Sequence, residues 1–174
     1  MAEIETKGLT KAGDLPLTLL GPQLKPGQLL PDATVVNQDM KEIKISSFLG
    51  KVLIISTVPS LDTGVCSAQT RRFNQEAAAL GESVLILTIS NDLPTAQKRF
   101  CGAEGIDRVI VLSDYRGQPF GRATGLFAKE TYLLARSATV VDQKGIVRYT
   151  QIVPIQGQEP DYAPVLEAAR NLLK

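Results

Sequence analysis

The chain alternates short apolar runs with longer segments in which apolar residues recur at helical spacing. Uninterrupted apolar runs of strand length, rich in β-branched residues, are typical of strands buried on both faces. Three such runs are Lys51–Thr57, Ser83–Ser90 and Arg108–Ser113. Helical spacing predicts a helix over Gly64–Leu80. A second helix is predicted to open near Pro94, because proline suits a first helical turn, and to fade at Gly102 or Gly105.

The C-terminal part of the chain predicts a hairpin and a closing helix. Two strand-like segments, Leu133–Val141 and Ile146–Ile152, flank the turn signal Asp142–Gly145. A short helix is expected over Gln118–Ala123 and an amphipathic helix over Asp161–Leu173. This order of elements predicts an α/β sandwich with a mixed central sheet flanked by helices. Since no repeat or linker divides residues 1–174, we expect one domain.

The first 31 residues are rich in turn-forming glycine and proline. Two short strand-like pieces, Glu3–Thr6 and Leu15–Leu20, can pair around the Gly13-Asp14 turn. Residues 1–31 are therefore predicted to form an N-terminal β-hairpin extension laid on the main domain. A further strand pair is expected at Ala33–Asn37 and Glu42–Ile45.

The charges of the chain are balanced and mixed along its length. The formal net charge is +1, with 19 basic and 18 acidic residues. This pattern predicts neither a nucleic-acid nor a membrane partner. The acidic N-terminus lacks the apolar stretch of a secretory signal, so a cytoplasmic location is expected. In a reducing compartment, a cysteine pair is more often redox-active than structural.

The residue types present limit which nucleophiles and metal sites are possible. The sequence contains no histidine, which excludes Ser-His, Cys-His and His-metal sites. The two cysteines, Cys66 and Cys101, are too few for a thiolate zinc site of three or four ligands. We therefore expect no metal and no cofactor. Cys66 falls in the first turn of the predicted helix Gly64–Leu80, where backbone N–H groups and the helix dipole favour a thiolate.

The residues around both cysteines resemble those of a known family. The motif Pro-x-x-x-Thr-x-x-Cys, formed by Pro59, Thr63 and Cys66, is similar to the active-site motif of the peroxiredoxins. The full string Pro-Ser-Leu-Asp-Thr-Gly-Val-Cys resembles the bacterial thiol peroxidase subfamily, an atypical group with two cysteines per chain. Further matching strings are Arg72–Asn74 and Arg99–Gly105, and the resemblance extends over about Leu15 to Leu173. Val58 departs from that subfamily, which often has an aromatic residue there.

The resemblance implies a thioredoxin-like fold, reduction of hydroperoxides and a role for each matching residue. Cys66 matches the peroxidatic cysteine, and Thr63 would hydrogen-bond its thiolate and the incoming peroxide. The alternative for Thr63 is a simple helix N-cap. Pro59 would shape the mouth of the pocket, or is an ordinary proline at a strand end. Arg136 matches the catalytic arginine, whose planar fork of donors a lysine does not reproduce. Cys101 matches the resolving cysteine, or is a small buried apolar residue.

The resemblance also implies partners and a disulfide. Cys66 and Cys101 would form an intramolecular disulfide that thioredoxin reduces, in a homodimer. Because helices packed on a sheet lie about 8–10 Å apart, we expect the first turn at Cys66 and part of Pro94–Gly102 to unwind for this bond. One alternative is a non-catalytic thioredoxin-fold module, either a redox switch or a holdase chaperone. Another, a secreted domain with one structural disulfide, is disfavoured by the missing signal.

Overall fold

The computed structural model describes residues 2–174, which form thirteen β-strands, four α-helices and a 3₁₀ helix (Ile45–Phe48). The strands in chain order are β1 (Glu5–Thr6), β2 (Lys11–Ala12), β3 (Leu15–Pro16), β4 (Leu19–Leu20), β5 (Thr34–Val36), β6 (Glu42–Lys44), β7 (Val52–Thr57), β8 (Val84–Ser90), β9 (Ile110–Ser113), β10 (Phe127–Ala128), β11 (Leu133–Leu134), β12 (Ser137–Val141) and β13 (Val147–Ile152). The helices are α1 (Gly64–Leu80), α2 (Pro94–Glu104), α3 (Pro119–Thr124) and α4 (Tyr162–Asn171). None of the helices in this range is both long and apolar enough to cross a bilayer.

The central sheet is mixed and has seven strands, in the order β13-β12-β7-β8-β9-β5-β6. Strands β7, β8 and β9 run parallel, with Leu53 opposite Leu85 and Ile89 opposite Leu112. The other neighbours in this sheet are antiparallel. Parallel strands need crossover connections, and α1 and α2 provide them, so each helix starts beyond the carboxyl end of a parallel strand. The predicted α/β fold with a mixed central sheet flanked by helices is confirmed.

Alternate residues of β7 supply two cores, one on each face of the sheet. Val52 and Ile54 belong to the core that also contains side chains of α1, α2 and α4. Leu53 and Ile55 face the opposite core, which contains Phe120 of α3. Full burial of one such aliphatic side chain contributes about 1.5–3 kcal/mol. These two layers fix the position of β7 and hence of the loop that follows it.

The N-terminal segment pairs as predicted and is also joined to a later part of the chain. β1 lies antiparallel to β4, with Glu5 opposite Leu20, while β2 and β3 close an inner hairpin around the Gly13-Asp14 turn. The pairing of β4 with β10, and of β10 with β11, was not predicted. Residues 1–31 are therefore more than a hairpin laid on the surface, because β4 is an inner strand of a second, four-stranded sheet.

The segment Leu133–Val141 does not form the single strand that its apolar pattern predicts. The chain leaves the small sheet after β11 and enters the central sheet at β12, with Ala135 and Arg136 between them. The N–H of Ala135 bonds the carbonyl of Leu126 at 2.7 Å. The N–H of Arg136 donates to Oε1 of Gln156 at 2.6 Å. The change of sheet therefore occurs at the residue expected to act in catalysis.

Candidate active site

Cys66 lies in the first turn of α1, a short loop beyond the carboxyl end of β7. Thr63 is the N-cap, with extended backbone angles of φ −99° and ψ 147°. Its carbonyl accepts a hydrogen bond from the N–H of Ser67 at 3.0 Å, which starts the helix. The side chain of Cys66 is buried, with 0% exposure. Its sulfur therefore lies at the positive end of α1, which helps to offset the cost that burial imposes on a negative charge.

Arg136 brings a positive charge to this sulfur. Its Nη2 is 3.2 Å from Cys66 Sγ, and its Nη1 donates to Gln69 Oε1 at 2.9 Å. The guanidinium is almost completely buried, with Arg136 2% exposed. None of the ion pairs found between residues 2 and 174 includes Arg136. Because a buried charge is costly unless it is paired, this guanidinium would stabilise a negative charge on the Cys66 sulfur.

Two glutamines that the sequence analysis missed hold Arg136 in place. Gln156 accepts from the Arg136 backbone N–H and, through its own carbonyl, from Nε at 3.0 Å. Gln69 lies one helical turn after Cys66 on α1 and donates to Ser56 Oγ at 2.7 Å. Both glutamines are buried. Gln69 could have been identified from the sequence, because residues three apart on a helix are neighbours on its surface. Gln156 lies in a loop without a recognisable pattern.

Thr63 occupies the N-cap position rather than a hydrogen-bonded position at the sulfur. Its Oγ1 donates to the carbonyl of Ser60 at 3.1 Å. Among the hydrogen bonds of residues 2–174, none joins Thr63 to Cys66 Sγ. Thr63 is exposed, and both Thr63 and Pro59 border the cavity described below. Thr63 is therefore the N-cap through its backbone alone, because its hydroxyl bonds to Ser60 and makes no capping hydrogen bond.

Cys101 lies on α2 in the same hydrophobic core as Cys66, and both are free thiols. Nε2 of Gln38, from the loop between β5 and β6, is 3.4 Å from Cys101 Sγ. Burial raises the pKa of the Cys101 thiol, and the hydrogen bond from Gln38 opposes this only in part. Cys101 is therefore kept as a neutral thiol on an intact helix, separate from the Arg136 site.

A cavity of about 340 Å³ opens beside the Cys66 site. Arg136 and Gln156 are among its polar lining residues. Most of its wall is apolar and comes from the N-terminal segment, the start of α1 and the small sheet: Ala12, Leu17, Val65, Ala128, Leu133 and Leu134. No group of three or more cysteine, aspartate or glutamate residues within the described range is arranged to hold a metal. The arrangement offers a cysteine sulfur, a fixed cation beside it and an apolar chamber of small-molecule size.

Comparisons with known proteins agree with this geometry. The redoxin family model matches residues 25–166. A thiol peroxidase of Bacillus subtilis is 50% identical over 174 residues, covering 100% of both chains. A thiol peroxidase of Oceanobacillus iheyensis is 52% identical over 87% of this chain and 92% of its own. The crystal structure of a peroxiredoxin-like protein from Aquifex aeolicus superposes with a TM-score of 0.88 at 37% identity, covering 95% and 98% of the two chains.

Proposed function

As a member of the redoxin family and an enzyme of its thiol peroxidase group, this protein is a peroxidase, and we propose that Cys66 carries its reaction with hydroperoxides. The observation that carries the proposal is the 3.2 Å contact between Arg136 Nη2 and Cys66 Sγ. A buried guanidinium without a carboxylate partner stabilises the thiolate that attack requires. The same charge is placed to stabilise the oxygen that leaves.

In the first step, the Cys66 thiolate attacks the terminal oxygen of a hydroperoxide. A sulfur–oxygen bond forms as the oxygen–oxygen bond breaks, so the sulfur is oxidised to a sulfenic acid. The other oxygen leaves as alkoxide or hydroxide and takes a proton from water, giving an alcohol or water. The Nη1 contact with Gln69 and the Nε contact with Gln156 fix the guanidinium plane while the charge shifts from sulfur to oxygen.

The cavity supports organic hydroperoxides as substrates besides hydrogen peroxide. Its volume of about 340 Å³ and its largely apolar wall suit a small apolar group. Pro59 and Thr63 lie at the edge next to the first turn of α1. In this proposal Pro59 shapes the mouth of the pocket, and the exposed Thr63 hydroxyl turns from Ser60 to the peroxide when substrate enters.

In the second step, the Cys101 thiol attacks the sulfenic sulfur of Cys66. A sulfur–sulfur bond forms, the sulfur–oxygen bond breaks, and the thiol proton leaves with the hydroxide as water. Disulfide geometry requires the two Cα atoms to lie within about 7 Å. Since both cysteines are buried in separate helices, the first turn of α1 and part of α2 unwind for this step.

A dithiol reductant then returns both cysteines to the thiol form, and thioredoxin is the reductant in this proposal. Thiol exchange passes two electrons to the disulfide, and the reductant becomes a disulfide itself. The proposal includes a homodimer, as the family resemblance implies. It also includes a cytoplasmic location, since a reducing compartment maintains free thiols. The similarity to thiol peroxidases favours this enzyme over a non-catalytic switch or chaperone.

A coupled assay tests the proposed division of labour. The rate of NADPH loss is measured with thioredoxin and its reductase, using hydrogen peroxide and an organic hydroperoxide. We expect Cys66→Ser to abolish turnover. Cys101→Ser should consume about one equivalent of peroxide and then stop as a sulfenic acid. Sustained thioredoxin-linked turnover by the Cys66→Ser protein would refute the assignment.

A further inference from the structure

Asp92 joins the two segments that carry the cysteines. It lies between β8 and α2, two residues before the first residue of that helix. Its carboxylate accepts hydrogen bonds from Ser60 Oγ at 2.7 Å, Leu61 N at 2.8 Å and Ser90 Oγ at 2.6 Å. Ser60 and Leu61 belong to the loop that leads into Cys66. One side chain therefore ties the loop before α1 to the start of α2.

A second set of hydrogen bonds continues from this point into α2. Gln97, a buried residue of that helix, donates through Nε2 to Ser90 Oγ at 3.0 Å and to the carbonyl of Leu112 at 2.8 Å. The hydroxyl of Ser113 donates to the backbone carbonyl of Asp92. The hydroxyl of Ser90 is thus shared by Asp92 and Gln97. The network runs without a break from the Cys66 loop to the helix of Cys101.

We propose that Asp92 is a positioning residue that holds both cysteine segments in the folded, reduced arrangement, and that its release allows the disulfide to form. This inference rests on the proposed disulfide between Cys66 and Cys101. The three bonds are as short as charge-assisted hydrogen bonds are. A carboxylate accepts all three bonds with a full negative charge, whereas an asparagine keeps the shape of the side chain but loses that charge, so the same contacts become weaker.

The proposal predicts opposite effects on the two steps of the reaction. Attack on the peroxide needs an ordered first turn of α1, so a weaker Asp92 contact slows it. Disulfide formation needs that turn and part of α2 to unwind, so the same change speeds it. Faster disulfide formation leaves less time for a second hydroperoxide to transfer an oxygen to the sulfenic acid, which would give a sulfinic acid and an alcohol.

The test follows both steps by rapid mixing in the full-length protein, with Asp92→Asn as the main variant. Peroxide consumption by the reduced protein reports the first step, and quenching followed by mass spectrometry reports disulfide and sulfinic acid. In Asp92→Asn we expect peroxide attack to be about tenfold slower and disulfide formation about tenfold faster, the size expected for losing a hydrogen bond to a charged group. The fraction of sulfinic acid at high peroxide should fall.

Two further variants keep the test decisive. Ser60→Ala removes one of the three bonds and should give smaller changes in the same directions, so it carries the test if Asp92→Asn does not fold. Asp14→Asn, in the exposed turn of the N-terminal hairpin, is the matched control and should leave both rates unchanged. A merely structural role for Asp92 would slow both steps or lower only thermal stability.

Hydrogen exchange separates failure of this proposal from failure of the proposed disulfide. In the reduced state, Asp92→Asn should lose protection in residues 60–70 and 94–104 together, whichever disulfide forms later. Unchanged protection in either window, or an unchanged rate of disulfide formation, would overturn the role of Asp92. A wild-type protein that forms no Cys66–Cys101 disulfide would instead overturn the proposed function, while paired loss of protection in the variant would still support Asp92 as the link.

Discussion

Arg136 shows how one buried side chain sets the chemistry of a site that has no histidine. Arg136 is 2% exposed, and each of its three guanidinium nitrogens has a partner: Nε contacts the Gln156 carbonyl, Nη1 contacts Gln69, and Nη2 contacts Cys66. Together, these three contacts restrict the rotation of the Arg136 side chain. In the proposed mechanism, Arg136 is thereby a permanent cation at a fixed distance from the Cys66 sulfur, which a flexible surface charge cannot be.

Replacing Arg136 should slow peroxide attack much more than it changes folding. We expect Arg136→Leu to lower the rate of Cys66 oxidation by about 100-fold, the effect of losing one strong transition-state donor. Arg136→Lys should restore part of this rate, because it returns the charge without the planar fork. Rapid-mixing measurement of peroxide consumption checks this. Arg116→Leu, on an exposed arginine that contacts Tyr115 and forms an ion pair with Glu42 at 3.5 Å, is the control. Equal rates in all three variants would remove Arg136 from the mechanism.

Among the elements, α3 is stabilised at its start by a buried carboxylate outside the reaction site. Asp114 is 1% exposed and accepts backbone hydrogen bonds from Phe120 at 2.9 Å and Gly121 at 2.8 Å. Burial raises the pKa of Asp114 from its ordinary value of 3.8 to about 6, although those two N–H groups and Arg122 oppose the shift. The folded protein therefore binds this proton more tightly than the unfolded chain does.

A pH series should reveal the contribution of Asp114 to stability. Since its pKa is raised on folding, the contribution is complete below 3.8 and is lost as the pH rises through about 6. Its size is at most about 3 kcal/mol, because one pKa unit corresponds to about 1.4 kcal/mol. Urea unfolding of wild type and Asp114→Asn across this range checks it, and the variant should show a flatter profile. Parallel profiles for the two proteins would contradict the assignment.

The sequence predicts those elements whose pattern is local, and it fails where a contact depends on distant residues. The apolar run of β7 and the spacing within α1 are visible in the chain itself, and the helix bounds agree. Strand β10 has two residues and exists because β4 and β11 lie on either side. The break at Ala135 also has no local signal, since the surrounding residues suit a strand. Within the site, Cys66 can be identified as a candidate from its position in the first turn of a predicted helix, whereas Arg136 can be identified only from the family resemblance.

At the scale of the whole molecule, the N-terminal segment forms part of the wall of the cavity beside Cys66. Ala12 and Leu17 form part of the cavity wall, facing residues of the small sheet. Gly21 of this segment lies closely against the backbone of α3. A Cβ built on Gly21 would lie 1.8 Å from the carbonyl oxygen of Arg122, and the φ of Gly21 is +103°. The chamber therefore depends on contacts between residues far apart in sequence.

The close approach of Gly21 predicts a stability loss that can be separated from backbone strain. Gly8 also has a positive φ, +82°, but a Cβ there meets nothing within 4 Å. Gly8→Ala should therefore show the backbone cost alone, and Gly21→Ala should lower the free energy of unfolding by about a further 1–3 kcal/mol through overpacking. Denaturant unfolding of both variants measures the difference. Equal losses would show that the backbone at Gly21 moves away without cost.

The most direct test of the central claim is the location of the bond that one turnover leaves behind. Reduced protein is mixed with one equivalent of hydroperoxide, quenched, digested without reductant and mapped by mass spectrometry. We expect one linked peptide pair, joining Cys66 to Cys101 within a single chain, and no linkage when Cys66→Ser is treated in the same way. Stable oxidation of Cys101 while Cys66 remains a free thiol would contradict it.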